Sequence, residues 1–336
     1  MEDSKITCCG GSPCDGKIKY VKLPTVGHLN TPIGTVPIIP SALSTMDRLG
    51  AWKVRWKIAR MNYQIEPGLY AVGRPSEASP VLVTANYKLS FDHLRKELIG
   101  IDAWILVLDT KGINVWCAAG KGTFSTRELV LRIKVTNLEK VVGHRTIILP
   151  QLGAPGVAAH EVKKHTGFHV VYGPIKAADI PVFLSTGYKA TPAMRRVTFS
   201  LKDRLILVPV ELMGTLAPSL IILGIILMGS ALTAAITLSQ NVWIKGITYS
   251  AAYLGAVLIG AAFTPILLPL IPGRSFAFKG WLLGLIWIFL FLQIAGAAGV
   301  QFANLEIWGL FLLLPAISSF LSLNFTGCTT FTSQSG

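Results

Sequence analysis

The sequence predicts an α/β domain with a parallel sheet, followed by an all-α transmembrane domain of four to five helices. The first observation is the charge distribution: the chain has 31 Lys and Arg against 17 Asp and Glu in 336 residues, but only three basic and two acidic residues follow position 204. The second is a change of pattern near residue 200, where short apolar runs give way to long ones. The two parts therefore belong to different environments.

The N-terminal part alternates short apolar runs with helical patterns. Residues 1–46 are rich in Gly, Pro, Thr and Ser without periodicity and predict a flexible arm. Buried strands are predicted at 81–84, 104–109, 146–149 and 168–172. Helices are predicted at 90–98 with Ser90 as the N-cap, from the capping box Ser125–Glu128, at 157–165 and at 176–186. Alternating strands and helices predict a Rossmann-like domain at 47–200, with the sheet covered on both faces.

The C-terminal part contains apolar runs of membrane-spanning length. Residues 247–271, 280–300 and 305–323 each approach the ~20 apolar residues that a spanning helix needs. Residues 205–243 cross once, or twice if the helix breaks near Ala217-Pro218. The transmembrane domain is thus expected at 201–325, with a tail at 326–336. Loop charges favour four spans and a cytoplasmic soluble domain at the inner membrane. Glu211 is either functional within the membrane or solvated at its surface.

Charge and cysteine usage narrow the classes of function. A basic domain beside a membrane indicates anionic partners, such as lipid headgroups, a phosphate-bearing cofactor or an acidic electron carrier. Nucleic acid is not expected, because the sequence has no helix-turn-helix, zinc-finger or RNA-binding signature. Five cysteines and no signal peptide argue against a secreted disulfide scaffold and favour a reduced, cytoplasmic environment.

The segment from Thr110 to Phe124 is the candidate site. It follows a predicted strand at the edge where parallel sheets bind ligands. Gly120-Lys121-Gly122 is not a phosphate-binding loop, because Val115 and Gly122 occupy positions where that motif needs Gly and Ser or Thr. No GxGxxG follows any strand either. An ATPase and a Rossmann dehydrogenase are therefore not expected.

Cys117 has two interpretations at this stage. A free cysteine is usually a small buried hydrophobe. Against that, Cys117 lies at the ligand-binding edge between glycines, and Lys121 one helical turn away favours a thiolate.

The run Asn114-Val-Trp-Cys-Ala-Ala-Gly-Lys121 resembles the signature of the mercury-methylating corrinoid protein (HgcA) family. The runs 66–73 and 80–87, with His144-Arg145 and Gly173-Pro174, agree with this. They also resemble the corrinoid domain of the corrinoid iron–sulfur protein of acetyl-CoA metabolism, which has no cysteine in this turn. The resemblance covers residues 47–190, and residues 324–333 resemble a motif common to both families.

The resemblance implies a base-off, cobalamin-type corrinoid, with Cys117 as the lower axial ligand of cobalt and as the catalytic residue. The cofactor-binding positions that it implies are Thr84, Asn114, Val115, Trp116, Cys117, Ala118, Ala119, Gly120, Lys121, Gln151, Gly153 and Gly173. The second corrinoid-binding mode, Asp-x-His-x-x-Gly, is absent from the sequence. The implied activity is corrinoid-dependent methyl transfer to Hg(II), giving methylmercury in an anaerobic organism.

The chemistry of Hg(II) constrains this transfer. Because Hg(II) is a soft electrophile, methyl is expected to leave as a carbanion equivalent, although radical transfer is also compatible with the sequence. Regaining methyl from a methyl-folate donor then needs two electrons, and the family implies a ferredoxin-like partner with two [4Fe-4S] clusters. Cys8, Cys9 and Cys14 are either a mercury-binding group or incidental cysteines in a tail.

Two other functions remain open at this stage. One is a membrane-bound corrinoid methyl carrier with a different physiological acceptor. The other is a transporter with a ligand-sensing cytoplasmic domain, which the few charges in the spans and the absence of an obvious inverted repeat disfavour.

Overall fold

The computed structural model describes residues 20–238 and 240–325. The chain divides into two compact units. The described residues up to 54, with 59–196, form an α/β unit. Residues 55–58, with the described residues from 197 onward, form a helical unit.

The α/β unit is built on one seven-stranded sheet. Its strands are β1 (Gly27–Thr31), β2 (Gly34–Ile38), β3 (Gly68–Val72), β4 (Val81–Ala85), β5 (Ala103–Leu108), β6 (Thr146–Leu149) and β7 (His169–Tyr172). The order is β1-β2-β3-β5-β4-β6-β7. Strands β5, β4, β6 and β7 are mutually parallel, whereas β3 is antiparallel to β5. The predicted Rossmann-like class is confirmed, with a mostly parallel rather than fully parallel sheet.

Strands β1 and β2 correct the prediction of a flexible arm through residue 46. They form an antiparallel hairpin that joins β3 through the pair Ile38 and Ala71. The sequence signal is weak because Val36 is the only fully buried residue of the hairpin. With its other positions partly or fully exposed, the hairpin has few apolar residues, so it lacks the apolar run that predicts a buried strand.

Six helices belong to this part of the chain: α1 (Thr45–Arg55), α2 (Lys88–Arg95), α3 (Val115–Gly120), α4 (Thr126–Val135), α5 (Ala159–Thr166) and α6 (Ile180–Ser185). The predicted N-cap at Ser90 is wrong. Helix α2 begins at Lys88, whose ammonium is buried between the carboxylates of Asp47 and Asp92, at 2.5 and 2.6 Å. Tertiary ion pairs thus fix the start of this helix.

The capping box at Ser125 is only half formed. The Ser125 hydroxyl accepts a hydrogen bond from the backbone N–H of Glu128 at 3.3 Å. The Glu128 carboxylate instead accepts the backbone N–H of Asp109 at 2.9 Å. Glu128 therefore ties helix α4 to the carboxyl end of β5.

Four buried charged residues anchor the segment that enters α1. Arg95 lies between Asp47 and Asp92, with nitrogen–oxygen distances of 2.7 Å to each, and also donates to the Pro40 carbonyl at 2.6 Å. Burial by itself raises the pKa of Asp47, but hydrogen bonds from Lys88, Ser44 and Arg95 outweigh it and hold the pKa well below its ordinary value. Residues 40–47 are thereby fixed to helix α2.

The helical unit contains four helices long and apolar enough to cross a membrane, in the part of the chain that the structure describes. They are α7 (Leu201–Thr237), α8 (Gln240–Leu258) with its continuation, α10 (Phe276–Ala297) and α11 (Asn304–Asn324). Helix α8 continues through a π-helical turn (Ile259–Phe263) into α9 (Thr264–Leu267). Pro218 lies inside a continuous α7, so the break that a fifth span requires is not formed.

Close backbone approach holds α8, α10 and α11 together. A side chain at Gly260 would meet the Ser318 carbonyl oxygen at 2.8 Å, and one at Gly284 would meet Pro315 Cα at 2.6 Å. The buried Ser318 hydroxyl donates to the Ala256 carbonyl at 2.9 Å. Small residues that let backbones approach are typical of packed membrane helices.

Candidate functional site

The candidate site lies at the carboxyl edge of the parallel strands. Asn86, Asp109, Pro150 and Gly173 directly follow β4, β5, β6 and β7, respectively. Helix α3, which carries Cys117, follows β5 by a short loop. The sequence therefore places α3 where open α/β sheets bind their ligands.

Asn86 organises the loop that leads into α3. Its side chain is fully buried, and its carbonyl oxygen accepts hydrogen bonds from the backbone N–H groups of Thr110 and Gly112 at 3.1 and 2.9 Å. Its amide nitrogen donates to Gln64 and Asp109. One side chain thus satisfies two loop amides that secondary structure leaves unpaired.

Helix α3 orients the thiol outward. The Asn114 side chain caps the helix by accepting the Cys117 N–H at 2.9 Å. Ala118 and Ala119 point into the core and are 0% and 6% exposed, whereas the free thiol of Cys117 is exposed. Of the two interpretations, the buried hydrophobe is wrong for Cys117.

Contacts from the loop after β6 hold α3 in place. A helix of six residues is not stable alone. The loop forms a 3₁₀ turn at Gln151–Gly156, where a side chain at Gly156 would meet the Phe124 carbonyl oxygen at 2.0 Å and Ala119 Cα at 3.1 Å. A side chain at Gly153 would meet the Phe124 ring at 2.5 Å. Only glycine permits this approach, so α3 has a fixed position.

The other predicted residues of the turn lie around the thiol. Val115 and Trp116 are half-buried, and Gly120 and Lys121 are exposed. The Lys121 backbone N–H donates to the Cys117 carbonyl at 3.0 Å. The structure therefore brings the predicted run from Asn114 to Lys121 together as one compact cap.

Thr84 and Gly173 lie on the opposite face of the sheet from the α3 alanines. Side chains alternate along a strand, so Thr84 shares the face of Leu82, which packs in the core under α2 and α6. Thr84 is 3% exposed. A side chain at Gly173 would meet Ile148 Cγ2 at 3.1 Å. The contacts of both residues are those of sheet packing, and their cofactor role stays a prediction.

Gln151 lies at the start of the loop after β6. Its side-chain oxygen accepts a hydrogen bond from the Arg195 guanidinium. Arg195 follows α6, so this bond ties the end of the α/β unit to the loop that supports α3.

Two residues that the sequence analysis did not select are part of this arrangement. Asn86 follows β4 directly, within the run 80–87, but a buried asparagine has no distinguishing pattern in one sequence. Gly156 belongs to a Pro/Gly-rich loop, and only its approach to Phe124 reveals its role.

The donor set of this site is a single thiol. Among the described residues, no three His, Cys, Asp or Glu side chains lie close enough to share a metal ion. His144 bonds through both ring nitrogens, to the Ser79 carbonyl and the Thr146 amide. Cys8, Cys9, Cys14 and Cys328 lie outside the described residues. A single exposed sulfur ligand suits a soft metal.

Comparison with known proteins finds similarity in the same segment. Residues 56–184 match the family described as CO dehydrogenase/acetyl-CoA synthase delta subunit. The gamma subunit of the acetyl-CoA decarbonylase/synthase complex of Methanopyrus kandleri is 36% identical over 123 residues, which are 36% of this chain and 26% of that protein.

Two other relatives give the same picture. The corresponding Archaeoglobus fulgidus subunit is 32% identical over 131 residues, 38% of this chain and 27% of that protein. The corrinoid/iron-sulfur protein large subunit of Moorella thermoacetica is 31% identical over 122 residues, 36% and 27% of the two chains. The chain thus spans about a quarter of the length of the relatives that it matches, and the similarity supports a relationship to corrinoid-protein subunits.

Proposed function

We propose that the α/β unit binds a corrinoid and that Cys117 is the lower axial ligand of its cobalt. We further propose that the protein transfers methyl to Hg(II), giving methylmercury. The observation that carries the proposal is the exposed Cys117 thiol on a short, fixed helix at the ligand-binding edge of the sheet. This helix lies within residues 56–184, which match the family described as CO dehydrogenase/acetyl-CoA synthase delta subunit.

The residues at this edge fit such a cofactor. The run from Asn114 to Lys121, with Gln151, would hold the macrocycle and its nucleotide tail. A cofactor role for the buried Thr84, Gly153 and Gly173 is proposed on the resemblance alone. A corrinoid supplies a cobalt centre that accepts and releases a methyl group. The hydrogen bond from the Cys117 N–H to the Asn114 side chain fixes the start of the helix that carries this sulfur.

The Cys117 thiolate sets the direction of the reaction. A thiolate is a strong electron donor and stabilises the oxidised metal, which favours release of methyl with its bonding electron pair. Hg(II) accepts this carbanion equivalent. Before the cofactor could take methyl again from a methyl-folate donor, it would have to receive two electrons. A ferredoxin-like partner with two [4Fe-4S] clusters is proposed to supply those two electrons, at the cytoplasmic face of the inner membrane.

A second candidate is a membrane-bound corrinoid methyl carrier with a different acceptor. The names of the relatives favour it, because they belong to complexes of acetyl-CoA synthesis or cleavage. The two candidates share the cofactor and the thiolate ligand. They differ in the molecule that takes the methyl group.

The test uses the full chain purified with its cofactor under reducing conditions. The absorption spectrum should show a base-off corrinoid with thiolate coordination, and added methyl donor, reductant and Hg(II) should yield methylmercury. Cys117→Ala should lose both the thiolate signature and the product. Cys328→Ala, which removes a thiol elsewhere in the sequence, should retain both.

Three outcomes separate the possibilities. Methylmercury formation at the normal rate by Cys117→Ala contradicts the thiolate mechanism. A thiolate-ligated corrinoid that accepts methyl but never transfers it to Hg(II) supports the second candidate. A purified protein that holds no corrinoid contradicts both.

A further inference from the structure

Helix α1 exposes large apolar side chains. The residues that turn inward recur at helical spacing: Asp47 and Val54 are buried, and Gly50 and Ala51 are partly buried. On the opposite side Met46, Leu49 and Trp52 are 72%, 53% and 54% exposed, and Arg48 and Lys53 are exposed beside them. A helix beside water normally buries its apolar residues.

Contacts on the inward face prevent the helix from rolling over. The Asp47 carboxylate is fixed by Lys88 at 2.5 Å and by Arg95 at 2.7 Å, both buried. Gly50 is so close to Tyr63 that a side chain there would collide with the tyrosine hydroxyl. The outward position of the apolar residues is therefore set by the fold.

The same stretch carries a concentrated positive charge. Five basic residues lie between positions 48 and 60: Arg48, Lys53, Arg55, Lys57 and Arg60. The only acidic residue between positions 45 and 60 is Asp47, whose charge is balanced by its buried partners. A surface with this composition is complementary to anionic groups.

The chain leaves α1 directly into the unit that contains the candidate membrane spans. Residues 55–58 already belong to that helical unit. Within it, the Lys57 ammonium lies 3.0 Å from the position that a side chain at Gly214 of α7 would occupy. A membrane crossed by α7 would therefore have a surface near the end of α1, because the chain connects the two directly.

We propose that α1 lies in the interface of the membrane, with Met46, Leu49 and Trp52 inserted at the boundary of headgroups and acyl chains. Its basic residues then contact anionic lipid headgroups. Apolar residues with tryptophan on one side and Lys and Arg beside them are the composition of interfacial helices, and tryptophan favours this depth.

Spin labels on the full chain in lipid vesicles test the proposal. Labels are placed singly at Met46→Cys and Leu49→Cys, and collision with oxygen is compared with collision with a water-soluble nickel chelate. Two reference labels give the limits: Leu220→Cys on the exposed face of α7 for lipid, and Glu77→Cys in an exposed turn for water. The background replaces the native cysteines at 8, 9, 14, 117 and 328.

The two α1 labels should collide more with oxygen than with the nickel chelate. The ratio of the two collision rates should lie between the ratios at residues 220 and 77. Because both side chains are largely exposed, their replacement does not disturb the core. Nickel accessibility equal to that at residue 77 means that the face points into water and overturns the proposal. Protection from both reagents means that a protein partner or a second copy covers the face, and also overturns it.

Lipid charge tests the basic residues separately. Addition of phosphatidylglycerol to phosphatidylcholine vesicles should increase the immersion of the label at residue 49. The double change Arg48→Gln and Lys53→Gln should remove this increase while leaving the label immersed in neutral lipid. If added phosphatidylglycerol does not change the immersion of this label while Arg48 and Lys53 are present, the proposed contact with anionic headgroups is wrong.

Discussion

The two units of the molecule satisfy buried polar groups in different ways. The α/β unit buries charged side chains, and its pairs join residues far apart in sequence, as Lys88 and Arg95 do with Asp47. The helical unit instead pairs its buried donors with backbone carbonyls: the Ser318 hydroxyl donates to Ala256, and the buried Lys279 ammonium donates to Leu268. The α/β unit should therefore be most sensitive to loss of a side chain, and the helical unit to added volume.

Removal of Arg95 should give the largest effect. Arg95→Ala leaves Asp47 and Asp92 with a single buried cation, and loss of one partner of a buried ion pair costs about 3–5 kcal/mol. Amide hydrogen exchange across α2 in the full chain should accelerate accordingly. Lys96→Ala is the matched control, because its ion pair with Glu97 is partly exposed and is worth about 0–1 kcal/mol. Equal effects of the two changes would contradict the comparison.

Gly156→Ala should disturb the cap without altering Cys117. The new methyl group would lie 2.0 Å from the Phe124 carbonyl oxygen, so α3 must move, at a cost of about 1–3 kcal/mol. The thiolate signature of the bound corrinoid should weaken in the absorption spectrum. Gly143→Ala, whose nearest neighbour is 3.7 Å away, should leave the spectrum unchanged. An unchanged spectrum in Gly156→Ala would mean that the position of α3 does not depend on this glycine.

Gly260→Ala tests whether added volume at a close helix contact destabilises the helical unit. The added carbon meets Ser318 and Leu321 at 2.8 Å, and overpacking here should cost about 1–3 kcal/mol. The melting temperature in detergent should fall, whereas Gly309→Ala on α11, with open space around it, should not lower it. A stable Gly260→Ala variant would show that this crossing can relax.

The smallest effect expected is a pH dependence confined to the α/β unit. The folded-state pKa of Asp47 lies below its ordinary value of 3.8, so the carboxylate adds stability that is complete above that value. This stability is lost as the pH falls from there through the lowered pKa. Protection of α2 amides in acid should decline over this window, and Asp47→Asn should flatten that part of the profile. A profile identical in both proteins would remove Asp47 as the cause.

The continuous apolar runs of β4, β5 and β6 predicted these strands, whereas the hairpin of β1 and β2 has no such run and was missed. Strand β3 was also missed, although residues 69–72 are buried. Strands β4, β5 and β6 are fully or almost fully buried, which produces such runs. The antiparallel direction of β3 has no signature in the sequence, since direction is set by pairing with β5.

The candidate site was predictable in part. The run around Cys117 was recognisable because its residues are contiguous and follow a clear strand. The face of the sheet on which Thr84 lies depends on strand register. The hydrogen bonds of Asn86 depend on contacts between residues that are far apart in the sequence. Neither can be obtained from spacing along one chain.

Helix α7 is longer than a single crossing of a membrane requires. At ~1.5 Å per residue, its 37 residues extend well past the ~30 Å depth of a bilayer's hydrocarbon. Tilts of the size that membrane helices show do not shorten it enough. Its last twenty or so residues suffice for the crossing, which leaves Glu211 near the headgroups. A carboxylate there is in contact with water and needs no role in transport.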